Sequence, residues 1–288
     1  MSLRNEIRTR NGELTAAERK ISAALLADYP FAGLVPIQEL AERARASPPS
    51  VMRFVNKFGC LGYLDFQRRL IEELKEGGRS PIDLRATQDL KASDDDLREY
   101  GERLCGRIRE AMAAVPRAEF ETICALLADT SRSVFVIGGR ITDMLAGILS
   151  MHLKLLRRDV FHIPQNPELW PDSIQQMRRR DVLVMFDFRR YQVGLEMLAR
   201  SAAEHAQPRI VLFTDKWLSP IVKHSSHVVP VPIDVGTAWD TSAAGLALVE
   251  AVVVKISEKI WPAAQSRIEA WDKLRPSSFN RPEAAEEN

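Results

Sequence analysis

Cysteine is scarce in this sequence, which has three among its 288 residues: Cys60, Cys105 and Cys124. They lie far apart and are odd in number, so they suggest neither a disulfide framework nor the paired spacing of a zinc site. We therefore expect a reducing compartment and no metal. The first ten residues, MSLRNEIRTR, are charged and lack the apolar core of a secretory signal, so the expected location is cytoplasmic.

A strong net charge and long apolar runs are lacking too. The formal net charge is +1, so the chain as a whole is not a polycation that would require nucleic acid as its partner. A small basic excess in residues 1–79 permits DNA binding but does not argue for it. The longest apolar run, residues 243–254, is interrupted by Glu250 and followed by Lys255. It is too short to span a bilayer and predicts a buried helix and no membrane partner.

The familiar catalytic motifs are missing as well, since no G-x-S-x-G, H-E-x-x-H or P-loop sequence is present. We expect no enzyme, no catalytic residue and no cofactor. What the chain does have is the composition of an ordinary globular protein, 45% hydrophobic and 27% charged, and a length that suits two domains. The histidines are scattered: His152, His162, His205, His224 and His227.

The first part of the chain is organised around residues 36–58, PIQELAERARASPPSVMRFVNKF. Apolar residues recur at i, i+3, i+4 and i+7 in two successive sets, the first starting at Ile37 and the second at Val51. Ser47-Pro48 between them is a helix-start signal. This pattern predicts a helix-turn-helix whose second helix reads DNA, or else an ordinary helical hairpin with a solvated polar face. The polar residues on the outward side are Ser50, Arg53, Asn56 and Lys57.

Domain boundaries follow from helix signals and breakers. Thr15 and Glu18 have capping-box spacing at the start of a helix, and residues 1–76 predict an all-α helix-turn-helix bundle. Gly77-Gly78 resists continuing a helix, so residues 77–96 are predicted to be a linker. The sensing and oligomerisation domain is placed at residues 97–262, and residues 263–288 are a tail, polar from Pro276 onward and expected to be disordered.

From Ser133 the pattern changes to apolar strand-like runs that alternate with helical stretches. This alternation predicts a parallel, three-layer α/β sheet. A long closing helix is expected at residues 239–260. The predicted strands lie within residues 133–139, 159–163, 181–186, 209–214 and 227–233.

The loop after the first predicted strand, Gly138-Gly139-Arg140-Ile141-Thr142, is a candidate anion site. Backbone N–H groups and a helix dipole could hold an anion there. The alternative is a simple tight turn, because Arg140 stands where a dinucleotide-binding fingerprint has its second glycine. Arg140 could bind an anion or pair with Asp143.

The loop after the third predicted strand is the second candidate site. Ligands of open α/β sheets bind outside the carboxyl ends of the strands, and arginine suits carboxylate or phosphate. The alternative is a solvated surface loop in which a neighbouring arginine satisfies Asp187. As a general base Asp187 is unconvincing, because adjacent arginines are expected to keep it ionised. The loop reads Asp187, Phe188, Arg189, Arg190, Tyr191 and Gln192.

With both halves considered, the chain resembles the RpiR/MurR family of bacterial transcriptional regulators, over most of residues 13–260. These regulators join an N-terminal helix-turn-helix to a C-terminal sugar-isomerase (SIS) domain that senses phosphosugars. The first half is similar in LTAAERKISAALLADYP and IQELAERARASPPSVMRFVNKFGCLGYLDFQRRL. The second half is similar in VFVIGGRIT, DVLVMFDFRRYQ and RIVLFTDKWLSPIVKHSSHVV.

The resemblance implies a double-stranded DNA operator, a carbohydrate-derived effector, and a homodimer or homotetramer, since paired half-sites require paired readers. It implies that the DNA-facing residues are Ser47, Pro49, Ser50, Arg53, Asn56 and Lys57. The implied effector site comprises Gly138, Gly139, Arg140, Thr142, Asp187, Arg189, Arg190, Tyr191 and Gln192.

The sensing half departs from the family pattern at both loops. The family's first loop is G-x-G-x-S; Thr142 keeps the hydroxyl, but Arg140 fills space left for a close ligand. In the second loop, which reads S-x-S-G-x-T or SFPRYS in the family, Asp187 and Gln192 replace hydroxyl residues. A carboxylate there should repel a phosphate at close range. The expected effector is a small polar metabolite, which is a sugar, a sugar phosphate or a sugar acid. The alternative functions are a sugar-phosphate isomerase, or a regulator whose SIS domain has lost ligand binding and only oligomerises.

Overall fold

The computed structural model describes residues 3–27, 29–78, 80–86 and 96–275. Residues 87–95 of the predicted linker, and the predicted disordered stretch 276–288, lie outside this range. The helices are α1 Leu3–Thr9, α2 Ala16–Ala27, α3 Ile37–Arg43, α4 Pro48–Lys57, α5 Tyr63–Gly78, α6 Pro81–Ala86, α7 Asp96–Ala114, α8 Arg117–Ala128, α9 Asp143–Leu156, α10 Trp170–Gln176, α11 Val193–His205 and α12 Ala243–Leu274. The strands are β1 Val134–Gly138, β2 Val160–His162, β3 Val182–Asp187, β4 Arg209–Thr214 and β5 His227–Pro230.

Helices α1 to α5 form the predicted bundle. The capping box at the start of α2 is confirmed, because the Thr15 amide donates to Glu18 Oε2 at 2.7 Å and the Glu18 amide donates to Thr15 Oγ1 at 3.3 Å. Ser47 caps α4 through its side-chain oxygen, which accepts from the Ser50 amide at 3.4 Å. The apolar residues of α3 and α4 meet in one core, which includes the fully buried Phe54. The helix-turn-helix is therefore a packed unit with a buried inner side.

Helix α5 ends at Gly78, in the predicted Gly77-Gly78 break and two residues beyond the predicted boundary at residue 76. A further helix, α6, lies within the predicted linker. Leu84 of α6 is buried, so this segment is packed rather than extended.

The carboxyl-terminal half is the predicted three-layer α/β fold. All four strand pairings are parallel, and the strand order is β2-β1-β3-β4-β5. Helices α8, α9 and α12 pack on one face, and α10 and α11 pack on the other. The strands β1 and β3 are buried along their whole length, as central parallel strands must be. Their carboxyl ends lie side by side at one edge of the sheet.

Two element ends differ from expectation. The last strand was expected to reach residue 233 but ends at Pro230, close to two prolines that lack an amide hydrogen for the ladder. The closing helix was expected to end at residue 260, but α12 continues to Leu274 across a kink at Ile260, two residues before Pro262. Ala264, beyond the kink, is fully buried in the core, so tertiary packing retains this part of the predicted tail. Across the described ranges, no helix is long and apolar enough to cross a membrane.

Candidate nucleic-acid interface and ligand cavity

The exposed side of α4 carries a connected row of polar groups. The hydroxyls of Ser47 and Ser50 lie 3.0 Å apart, and the Arg53 guanidinium donates to Ser50 Oγ at 3.0 Å. Pro49, Arg53 and Asn56 are exposed on the same helix. This arrangement presents hydroxyl, guanidinium and amide groups in one direction, the chemistry that contacts phosphate oxygens and base edges.

Lys57 belongs to a different environment from the other predicted DNA-facing residues. Its ammonium donates to the carbonyl of Glu13 at 2.7 Å and to Glu18 Oε2 at 3.1 Å. The backbone amide of Thr15, and then Lys57, hold the pKa of Glu18 below its usual range. Lys57 thus fastens the end of α4 to the start of α2, a role that sequence spacing could not show because the partners lie 39 and 44 residues apart.

Both predicted effector loops line one cavity of about 320 Å³ at the carboxyl edge of the sheet. Two groups of residues outside the predicted loops complete it: residues 238–242 before α12, and Pro81 and Leu84 of α6. Gly138 and Tyr191 do not line this cavity. The convergence of loops after parallel strands could have pointed to residues 238–242, since they too follow a carboxyl-terminal strand end.

The first loop, residues 138–142, is a tight turn. A side chain at Gly138 would place its Cβ 2.5 Å from the Asp143 amide, so only glycine fits. The Gly139 amide donates to Thr142 Oγ1 at 2.7 Å, and that hydroxyl donates to the Phe186 carbonyl at 2.6 Å. The hydroxyl of Thr142 is therefore occupied by the turn itself.

Asp143 and Arg140 do not form the pair that sequence analysis considered. Asp143 Oδ1 instead accepts from the Gly138 amide at 3.0 Å and lies 2.9 Å from His162 Nε2. Arg140 is exposed and is one of the residues that line the cavity. Its guanidinium is available to an anion that enters from solvent.

Asp187, at the end of β3, is 2% exposed and lines the cavity. Its Oδ2 accepts from the Ser219 hydroxyl at 2.5 Å, and its Oδ1 accepts from the backbone amide of Gln192 at 3.4 Å. Burial raises the pKa of this carboxyl to about 7, an effect that these two hydrogen bonds only partly oppose. The expectation that neighbouring arginines keep Asp187 ionised is wrong, because neither arginine bonds to it.

Arg189 is turned into the protein. Its side chain is 2% exposed and its guanidinium carbon lies 4.1 Å from the centre of the Trp217 ring. One Arg189 nitrogen is 3.4 Å from Asp240 Oδ1, an ion-pair distance, but none of the three nitrogens forms a hydrogen bond with the described residues. Burial raises the pKa of Asp240 to about 6, with Arg189 acting in the opposite direction. A buried cation with unused donors therefore faces the cavity.

Asp215, after β4, is the internal anchor of the second loop. It is fully buried and accepts from the Arg189 amide at 2.5 Å, the Tyr191 hydroxyl at 2.7 Å and the Trp217 amide at 2.9 Å. Tyr191 consequently points away from the effector cavity, and burial raises the pKa of its phenol. Arg190 adopts φ 67°, which is uncommon for a residue other than glycine.

A second cavity, of about 650 Å³, lies between the helical bundle and the α/β half. The bundle contributes Phe31, Glu73 and Leu74, and the α/β half contributes Tyr191 and Trp217 among its lining residues. Arg190 lines both cavities. One short segment therefore touches the effector cavity on one side and the boundary with the bundle on the other.

The buried carboxyl of Asp187 predicts how stability depends on pH. Its pKa in the folded protein, about 7, lies above the ordinary value of 3.8. Between these two pKa values the folded state keeps a proton that the unfolded chain releases. The contribution of the protonated Asp187 carboxyl to the free energy of unfolding is therefore fully present below about pH 4 and is lost as pH rises through about 7. Nearby Asp215 and Glu196 raise the same pKa. We expect wild-type melting temperature to fall between pH 5 and 7 and Asp187→Asn to show a shallower fall, measured by thermal denaturation; equal slopes would contradict this assignment.

Comparison with known families and structures matches both halves of the chain. Residues 1–77 match the helix-turn-helix domain of the rpiR family, and residues 126–255 match the SIS domain. A curated relative is the HTH-type transcriptional regulator HexR of Pseudomonas aeruginosa, 36% identical over 76 residues. That alignment covers 26% of this chain and 27% of the length of HexR, so it concerns the helical part alone.

Two solved structures resemble the fold. The Vibrio vulnificus NanR protein complexed with ManNAc-6P is 14% identical, with a TM-score of 0.55 over 97% of this chain and 100% of that one. The sugar isomerase domain of the RpiR transcription factor from Sphaerobacter thermophilus is 15% identical, with a TM-score of 0.55 over 63% of this chain and 100% of that one. At such identities the likeness concerns the fold alone.

Proposed function

Because this chain joins an rpiR-family helix-turn-helix domain to a SIS domain and so belongs to the RpiR family, we propose that it is an effector-controlled transcriptional regulator. It binds a double-stranded DNA operator through α4, and a small carbohydrate-derived molecule in the cavity at the carboxyl edge of the sheet changes operator affinity. The observation that carries this proposal is the position of Arg190, which lines both the effector cavity and the boundary with the DNA-binding bundle.

The DNA-binding surface is the exposed side of α4. Ser47, Pro49, Ser50, Arg53 and Asn56 meet the operator, with Arg53 as the residue best suited to guanine or phosphate. Lys57 acts at this surface indirectly, by positioning α4 against α2. DNA binding also sets the location, since a regulator of this kind works in the cytoplasm, where the operator is accessible.

Coupling between the two halves runs through residues 187–192. Asp215 ties the Arg189 amide and the Tyr191 hydroxyl to the same buried carboxylate, so this loop moves as one piece. An effector that contacts Arg189 favours one arrangement of the loop. Arg190 and Tyr191 line the second cavity together with Glu73 of the bundle, so a change in the loop changes the boundary between the two halves. Differential affinity for two arrangements is what an effector needs in order to change DNA binding.

A binding assay tests this role directly. The operator is first selected from genomic fragments with the purified chain, and its affinity is then measured by fluorescence anisotropy with and without candidate effectors. Coupling energies between sites correspond to changes of about 5- to 150-fold. We expect a change in this range with one class of sugar derivative. A chain that selects no DNA sequence would contradict the regulatory role.

The isomerase alternative has one observation in its favour, the pKa of about 7 for Asp187, because a general base works best near the operating pH. The same carboxyl is engaged by Ser219 and the Gln192 amide and is 2% exposed, an arrangement that suits positioning rather than turnover. We propose that the protein is not an enzyme and needs no cofactor. Incubation with aldose and ketose phosphates should yield no isomer above background.

The regulator is proposed to be a homodimer or homotetramer, as two half-sites require. Large apolar side chains on α9 and α12 are exposed in the single chain, among them Met144 at 49%, Met151 at 61% and Val254 at 56%. We infer that these side chains contribute to the interface between subunits. Light scattering should give a mass of two or four times 32.5 kDa; a mass of one chain would contradict the proposal.

A further inference from the structure

We propose that the effector is a sugar acid, recognised through its carboxylate by Arg189, and that it carries no phosphate; this proposal rests on the regulatory role proposed above. It names the ligand class of the cavity at the carboxyl edge of the sheet. The ligand's carboxylate lies against the guanidinium, and its hydroxyls lie against the polar groups of residues 240–242 and Gln192.

Arg189 supplies the recognition. The guanidinium carbon lies over the Trp217 ring, 4.1 Å from its centre, and the Arg189 backbone amide donates to Asp215, so the side chain is packed and its backbone is anchored. Its three nitrogens are buried and form no hydrogen bond within the described ranges, although Asp240 stands 3.4 Å away. Unsatisfied buried donors are costly, and a carboxylate matches the planar fork of a guanidinium with two parallel bonds. The cavity therefore has a built place for one carboxylate.

The same cavity is poorly suited to a phosphate. The Thr142 hydroxyl lines the cavity, but it accepts from the Gly139 backbone amide and donates its proton to the Phe186 carbonyl, so it has no proton left for a phosphate oxygen. Asp187 stands at the start of the second loop and lines the cavity, and a second carboxylate, Asp240, lines it too. A dianion would meet repulsion from Asp240 and from the ionised fraction of Asp187, and this repulsion is strong where water is excluded. One negative charge opposite Arg189 avoids that cost.

The remaining wall suits hydroxyl groups. Asp187 and Asp240 can accept hydrogen bonds from hydroxyls, while Gln192, Thr241 and Ser242 can both donate and accept. The volume of about 320 Å³ lies at the lower end of the range of roughly 300–1,000 Å³ usual for ligand sites. A compact acid with several hydroxyls fits these features better than an extended or apolar ligand.

The test compares matched ligands on the full chain by isothermal titration calorimetry. The panel contains gluconate, galactonate, glucuronate and galacturonate, the neutral sugars glucose and galactose and their polyols, and gluconate 6-phosphate and glucose 6-phosphate. We expect at least one acid to bind about tenfold or more tightly than its neutral counterpart, because charge-assisted hydrogen bonds are about twice as strong as neutral ones. The phosphorylated ligands should bind at least tenfold more weakly than that acid.

Variants assign the effect to residues. Arg189→Gln should reduce affinity for the acid about 10- to 100-fold, the loss of a charge-assisted pair, while binding of a neutral polyol changes little. Arg189→Lys keeps the positive charge but loses the planar guanidinium that forms two parallel bonds, so its affinity for the acid should lie between that of Arg189→Gln and that of the wild type. Asp187→Ser, which introduces a hydroxyl and removes the carboxylate, should raise affinity for the phosphorylated ligands at least tenfold. If Arg189→Gln does not fold by circular dichroism, the ratio of acid to phosphate affinity in Asp187→Ser and Asp187→Asn decides.

Each outcome separates this proposal from the role on which it rests. Binding of phosphorylated ligands alone, with altered operator affinity, overturns the sugar-acid assignment and leaves the regulator intact. Acid binding that is unchanged in Arg189→Gln also overturns it. If no ligand of any class binds and operator affinity never changes, both the assignment and the effector-controlled role fail. Acid binding that depends on Arg189 and alters operator affinity supports both.

Discussion

Replacing Arg53 and Asn56 together with alanine should weaken operator binding about 30-fold or more, since each side chain that reads a base edge contributes about 1–3 kcal/mol. Both side chains are exposed on α4 and neither belongs to the buried core, so the bundle should keep its stability. Fluorescence anisotropy at several salt concentrations measures both effects. Removal of the arginine should also reduce the magnitude of the salt slope by about one.

A matched control is Arg200→Ala. Arg200 is an exposed arginine of α11, remote in sequence from the reading helix, so the substitution removes the same charge without touching α4. Operator affinity should then stay within about twofold of wild type, as for a surface change away from the interface. Unchanged affinity in the Arg53/Asn56 variant, with the control also unchanged, would show that another surface reads the DNA.

Replacing Asp215 with alanine should destabilise the α/β half by about 3–5 kcal/mol and abolish the response to the effector. The substitution leaves the Arg189 amide, the Tyr191 hydroxyl and the Trp217 amide without their acceptor in a buried position. Unsatisfied buried donors cost free energy, and the loop that aims Arg189 loses its anchor. Denaturant unfolding measures the free-energy change, and anisotropy with and without effector measures the response.

Two companion variants sharpen that result. Tyr191→Phe removes one of the three donors and should cost about 1 kcal/mol, the usual contribution of one hydrogen bond. Asp172→Ala changes an exposed acid in the first turn of α10 and should stay within about 1 kcal/mol of wild type. If Asp215→Ala unfolded no more easily than Asp172→Ala, Asp215 would not be the anchor of the loop.

The elements themselves could be predicted from the sequence because their signals are local. The capping pair Thr15–Glu18 and the cap at Ser47 depend on contacts within three residues, and both occur as the spacing indicates. Buried parallel strands show themselves as apolar runs, so the sheet and its layers were also readable. Helix α6 in the predicted linker could not be predicted in this way, because the burial of Leu84 depends on tertiary packing.

The sequence by itself determined the two halves of this protein, the reading helix α4 and the two loops at the carboxyl edge of the sheet. The period of the apolar residues, and the loops that follow the carboxyl ends of strands, can be recognised from neighbouring residues in the sequence. Only the tertiary structure decided what those residues do. In the folded protein Lys57 donates to Glu18, and burial raises the pKa of Asp187 to about 7. Arg189 packs against Trp217, and its guanidinium donors form no hydrogen bond with the described residues. Each depends on desolvation and on partners about 25 to 40 residues away, which local sequence cannot specify.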